Sequence, residues 1–160
     1  MMTCVYIGIG ANLNDPKRQV AMGIEALGKL PKSQLVVASS LYISSPMGPQ
    51  DQNDYINAVA KLETELAPIT LLDELQSIEK TQGRIRKSER WGPRTLDLDL
   101  LLYGIQEIDE TRLQVPHYGM KERAFVLLPL AEIEPNLVLP DNSQVTELIE
   151  QLEKQRIMKL

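Results

Sequence analysis

The sequence predicts an α+β fold, an antiparallel sheet with helices packed on it. Three observations carry that prediction. Strand-like runs fall at 3–9, 34–43, 55–64 and 95–103, and apolar residues recur at helical spacing at 20, 24 and 27 and at 71, 72, 75 and 78. Turn-forming residues separate these runs. Their order is β-α-β-β-α-β, the ferredoxin-like core, with additional C-terminal elements. The chain has 160 residues, 43% of them hydrophobic, which suits one domain over 1–160 with a buried core.

The first strand is Thr-Cys-Val-Tyr-Ile-Gly-Ile at 3–9. Asn14-Asp15-Pro16 reads as a helix start, a capping side chain followed by Pro in the first turn. Val20, Ile24 and Leu27 form the apolar stripe, and Pro31 stops the helix. The β-branched run 34–43 is a second strand, and Pro46, Gly48 and Pro49 make 44–53 a loop. Along 55–64, Ile56, Ala58, Ala60 and Leu62 alternate with Tyr55, Asn57, Val59 and Lys61. The next helix starts near Pro68 and ends at Gly83, with Leu71, Leu72, Leu75 and Ile78 facing inward. A charged loop leads to an apolar strand at 95–103, broken by Gly104. Residues 124–132 form a short helix despite Pro129, and 145–154 a final amphipathic helix.

The net charge is −5, which disfavours a broad nucleic-acid binder. Yet Arg84, Arg86, Lys87, Arg90 and Arg94, five of the 17 cations, crowd one loop, as a small anionic ligand would require. The single cysteine, Cys4, excludes an internal disulfide framework and reads as a small buried side chain. Neither a signal peptide nor a membrane-length apolar run is present, so a cytoplasmic protein is expected, with no membrane partner.

The run Leu96-Asp97-Leu98-Asp99-Leu100-Leu101-Leu102 places Asp97 and Asp99 on one strand face, with Leu96, Leu98, Leu100 and Leu102 on the other. Two anions beside a buried strand are costly unless paired, and a hard divalent cation removes that cost. Pairing with neighbouring arginines is the simpler alternative. The adjoining arginines tip the balance, because guanidinium groups for phosphate beside carboxylates for metal are what a magnesium–nucleotide complex needs. Two magnesium ions about 3.5–4 Å apart would suit phosphoryl or nucleotidyl transfer. A glycine-rich phosphate loop is absent, and Gly8-Ile9-Gly10 has Leu13 where a dinucleotide fingerprint needs glycine.

Arg90-Trp91-Gly92-Pro93-Arg94-Thr95-Leu96-Asp97-Leu98-Asp99-Leu100-Leu101 resembles the defining motif of the hydroxymethyl-dihydropterin pyrophosphokinases of folate biosynthesis. Gly48-Pro49-Gln50-Asp51-Gln52, Tyr55-Ile56-Asn57-Ala58, Gln82-Gly83-Arg84-Ile85-Arg86-Lys87 and Val115-Pro116-His117-Tyr118 extend the resemblance over about 3–141. It implies transfer of pyrophosphate from ATP to the hydroxymethyl group of a reduced pterin, with release of AMP. It further implies two magnesium ions on Asp97 and Asp99, and Arg84 and Arg94 as catalytic cations. Arg86, Arg90 and Trp91 would help a loop close over the substrates. ATP contacts carry over onto Gln76, Glu79, Arg112, His117, Tyr118 and Arg123, with His117 as a phosphate donor. Tyr55, Asn57 and Phe125 would hold the pterin, with backbone groups near Gly10, Ser44, Ser45 and Met47 lining the same pocket. A monomer is expected. A different two-metal nucleotidyltransferase acting on a small heterocycle is the competing expectation, and it would release pyrophosphate instead of AMP.

Overall fold

The computed structural model describes residues 2–44, 54–82, 95–152 and 157–160. The main sheet contains β1 (Thr3–Ala11), β2 (Ser33–Ala38), β3 (Tyr42–Ser44), β4 (Tyr55–Thr64), β5 (Asp97–Tyr103) and β8 (Ile157–Lys159). Its order is β5-β1-β4-β3-β8, with β2 also paired to β4 and every pairing antiparallel. With β2 and β3 counted as one broken strand, this is the expected ferredoxin-like core.

The break has a local cause. Between β2 and β3, Ser39 donates its N–H to the Val59 carbonyl at 2.8 Å, and its Oγ accepts the Val59 N–H at 3.0 Å. A side chain thus stands in for one ladder group, and the expected continuous strand over 34–43 is divided.

Helix α1 (Pro16–Leu27) follows β1. Asp15 precedes it in the left-handed region, φ 62°, after Asn14 at φ 54°, and makes no side-chain capping bond. The expected Asx cap is therefore replaced by a tight turn, which Asn and Asp tolerate better than most residues. Gln19 supports the turn by donating its side-chain amide to the Asn14 carbonyl at 3.0 Å. The helix ends at Leu27, with Gly28 as its cap, before Pro31 is reached.

Helix α2 (Pro68–Thr81) contributes to the same core as α1, with Leu71 and Leu75 fully buried. Its cap is Gln82, and the expected cap Gly83 lies outside the described residues. Helices α3 (Ala124–Ile133) and α4 (Val145–Gln151) cover the opposite sheet face. Cores therefore lie on both sides of the sheet. Ile7, Ala58 and Leu98 belong to the α1/α2 side, and Tyr6, Val59 and Leu101 to the α3/α4 side. The central stretch of β4 is buried on both faces for this reason.

Strand β5 departs from strict alternation. Tyr6 pairs with Leu102 but Ile7 with Leu100, which leaves Leu101 as the extra residue of a bulge. Leu98 and Leu100 face the first core, while Leu101 and Leu102 both enter the second. The expectation that Leu102 shares a face with Leu96, Leu98 and Leu100 is corrected by that one inserted residue. Gly104, at φ 55°, then turns the chain out of the sheet, as only glycine does without strain.

Three further strands had no sequence signal. β6 (Ile108–Asp109) and β7 (Gln114–Val115) form a small hairpin, and β8 adds the chain's last described segment to β3. Such short strands owe their existence to a partner strand more than to their own pattern. Among the described residues no helix is long and apolar enough to cross a membrane.

Candidate active site

Strand register aligns the expected site residues in a row. Gly10 of β1 pairs with Asp97 of β5 on one side and with Asn57 of β4 on the other. Directly opposed residues on neighbouring strands project to one face, so Asp97 and Asn57 share the α3 side of the sheet. Two strand spacings, about 10 Å, separate their backbones. Gly8 likewise pairs with Asp99 and Val59. Asp97 and Asp99 thus point to the same side, about 7 Å apart along the strand.

Gly10 is small for a visible reason. A Cβ there would lie 3.2 Å from Asn57 Oδ1, so a larger residue would press on that amide. Asn57, only 4% exposed, donates Nδ2 to Ser44 Oγ at 2.7 Å. Ser44 therefore fixes the amide's orientation through its side chain, a role that a main-chain contact did not anticipate. Tyr55 lies two residues before Asn57 on the same strand face and is half-buried.

The segment after β7 closes the other side. His117 donates its N–H to the Leu101 carbonyl at 3.0 Å, so the bulge in β5 anchors this turn. Its Nδ1 accepts the Gly119 N–H at 3.2 Å, which leaves the ring proton on Nε2. Nε2 faces Asp99 Oδ1 at 3.9 Å, beyond hydrogen-bond reach. Burial, and secondarily the charge of Arg123, pull the His117 pKa down to about 4, while Asp97 opposes the shift. The imidazole is neutral near pH 7, so the Asp99 contact is not an ion pair, and the ring offers an N–H donor to an incoming anion.

His117 stacks on Tyr118 with ring centroids 4.7 Å apart. Arg123 lies over two rings, 5.7 Å from the centre of Tyr118 and 5.6 Å from that of Phe125. One guanidinium therefore links the expected nucleotide and pterin residues. Phe125, in the first turn of α3, packs against the second core.

Arg112 comes from the turn of the β6–β7 hairpin. It bonds Asp73 Oδ1 at 2.6 Å and Gln76 Oε1 at 3.3 Å, so the hairpin docks on α2. Asp73, three residues before Gln76 on the same helix, was the overlooked member of this group. Glu79, expected as an ATP contact, is 5% exposed, and its Oε2 accepts the Leu98 N–H at 2.8 Å. Arg84, Arg86, Arg90, Trp91, Arg94, Ser45 and Met47 lie outside the described residues.

Among the described residues no three His, Cys, Asp or Glu side chains form a ready-made metal cage. The Asp97–Asp99 pair nonetheless suits magnesium, which takes one or two protein carboxylates and completes its shell with water and phosphate oxygens. The Asp99 side chain is 47% exposed, open to a ligand arriving from solvent.

The sequence matches the family described as 7,8-dihydro-6-hydroxymethylpterin-pyrophosphokinase (HPPK) over residues 6–135. A Haemophilus influenzae protein named 2-amino-4-hydroxy-6-hydroxymethyldihydropteridine pyrophosphokinase is 53% identical, covering 99% of both chains. A Pseudomonas aeruginosa protein of the same name is also 53% identical, over 93% of this chain and 91% of its own length. The solved wild-type Plasmodium falciparum HPPK-DHPS with pterin and p-hydroxybenzoate superposes with a TM-score of 0.71 at 13% identity. That match covers 94% of this chain and 42% of the longer one, and it bears on the fold alone. Both a family match across most of the sequence and end-to-end relatives at 53% identity lead to one conclusion: the chain belongs to the 7,8-dihydro-6-hydroxymethylpterin-pyrophosphokinase family.

Proposed function

We propose that the protein transfers pyrophosphate from ATP to the hydroxymethyl group of 6-hydroxymethyl-7,8-dihydropterin, releasing AMP, as a step of folate biosynthesis. The observation that carries this reading is the row Asp97–Gly10–Asn57, which sets a carboxylate pair and an oriented amide on one sheet face. The relatives' shared name supports the substrate assignment.

Asn57, held by Ser44, recognises the amino-pyrimidinone edge of the pterin, while Tyr55 and Phe125 flank the flat ring. Backbone groups near Gly10, Ser44, Ser45 and Met47 complete that pocket. Gln76, Arg112, Tyr118 and Arg123 contact ATP, and His117 donates Nε2–H to a phosphate oxygen. Asp97 and Asp99 hold two magnesium ions, which when bound neutralise phosphate charge and polarise the transferring group. Arg84 and Arg94 offset the charge that builds as the pterin hydroxyl attacks the β-phosphorus and AMP departs. Arg86, Arg90 and Trp91 close over the substrates and exclude water, the competing acceptor. The reading treats 1–160 as one domain, a monomer at work in the cytoplasm.

The test is one assay with ATP, magnesium and the dihydropterin. AMP formed in step with pterin diphosphate is the expected result. Release of inorganic pyrophosphate, or of ADP, would overturn the reading.

A further inference from the structure

We propose that Glu79 is a positioning residue for the transfer reaction: its buried carboxylate grips the β5 main chain at Leu98 and so fixes the relative placement of Asp97 and Asp99. The inference rests on the assignment of that pair as magnesium ligands. It gives Glu79 a different task from the direct ATP contact that the family resemblance implies.

Among the described residues β5 is an edge strand of the main sheet, with β1 on one side only. In an antiparallel ladder, N–H groups alternate between the partner strand and the outer edge. Leu98 N–H is of the outward kind, because it donates to Glu79 Oε2 at 2.8 Å. Leu98 is the residue between the two aspartates. Holding its amide therefore holds the peptide units that join them.

Glu79 reaches this point from inside the protein. Leu71, Leu75 and Glu79 follow one another at four-residue spacing on the buried side of α2. The apolar stripe of the helix thus ends in a carboxylate that is only 5% exposed. Burying a carboxylate is costly, and the protein accepts that cost at the strand segment that carries both aspartates. A bond from an amide to a charged acceptor is shorter and stiffer than one to water or to a neutral group. On the opposite edge β1 contributes Gly8 and Gly10, neither of which can brace β5 with a side chain. Glu79 supplies the brace.

Two variants and three measurements test this. Glu79→Gln keeps an oxygen for the Leu98 amide, and Glu79→Ala removes it. In Glu79→Ala, hydrogen exchange at the Leu98 amide should accelerate about tenfold, the weight of one net hydrogen bond. The Gly8 and Ile9 amides serve as the control for loosening of the whole sheet and should change less. Mn2+ affinity with a non-hydrolysable ATP analogue should weaken by a similar factor, while analogue affinity in EDTA stays within about twofold. Glu79→Gln should restore Leu98 exchange and Mn2+ affinity to within about threefold of the parent.

An unchanged Leu98 amide in Glu79→Ala would overturn the proposal. So would a loss of metal-free nucleotide affinity in Glu79→Gln, which would mark a direct ATP contact, or a Gln variant as impaired as Ala. The AMP assay on the parent protein fails or succeeds independently, so an error in the proposed reaction remains distinguishable from an error about Glu79.

Discussion

Asp97 and Asp99 at one end of the sheet, and Glu132 and Glu134 near the far end of α3, serve the same sheet face in opposite ways. Glu132 accepts from Tyr42 Oη at 2.7 Å and from both the N–H and Oγ of Ser40 at 2.9 Å. Glu134 accepts from Lys61 Nζ at 2.8 Å and Tyr6 Oη at 3.1 Å. Against the opposing effect of burial, those hydrogen bonds hold both glutamates below their ordinary pKa. Burial first, and then Cys4 and Glu134 beside Tyr6 and Glu132 beside Tyr42, push the two tyrosine hydroxyls well above theirs. At the other end, Asp99 meets the His117 ring at 3.9 Å, too far for a bond, and stays half exposed. One pair of carboxylates clamps α3 to the sheet. The other pair lies where Asp99 keeps about half of its side chain in solvent.

The contrast predicts opposite mutational signatures. Asp97→Ala or Asp99→Ala should lower AMP formation roughly a thousandfold or more, the weight of several kcal/mol of metal-assisted stabilisation. Denaturant unfolding should move less than it does for the α3 clamp, because the Asp99 side chain is half exposed. A large loss of stability with activity intact would erase the distinction.

Asn57→Ala comes next. It should raise the KM for the pterin roughly ten- to a hundredfold, the value of one or two buried hydrogen bonds. The KM for ATP should hold, since Asn57 lies about 10 Å from Asp97 across the sheet. A matching change in both constants would mean that the two ends of the row are not separate subsites.

At the clamp, Glu134→Ala should destabilise the fold by about 1–2 kcal/mol, because Lys61 and Tyr6 lose their acceptor. The kcat of the folded fraction should stay within about twofold. A kcat that collapses while stability holds would place this clamp in the catalytic machinery.

The smallest effect is one of pH. The folded pKa values of Glu132 and Glu134 lie below their unfolded values. Their contribution is therefore complete above about pH 4.5 and is lost as the pH falls through the folded values. Asp141, held down to about 2 by Lys121, adds to the same acid-side loss. Glu134→Gln should flatten the stability profile below pH 4.5 by less than about 1.4 kcal/mol per pH unit, the limit for one proton. An unchanged slope would mean that Glu134 does not titrate differently on folding.

Much of this protein was legible in its residues. The helix periods, the alternation along 55–64 and the Asp97-x-Asp99 spacing gave the core order and the carboxylate pair, because these are local regularities. The long motif through Arg90 and Asp99 led to the family and its chemistry. Tertiary structure alone decided the rest. It inserted the bulge at Leu101 that sends Leu102 to the second core and anchors His117. It brought Ser44 to Asn57, and Asp73 to Arg112 across 39 residues of chain. It also turned Glu79 inward to the Leu98 amide. Each of these is a pairing between distant segments, set by register and by which backbone groups the packed core leaves in need of a partner. Periodicity along one segment carries no record of that.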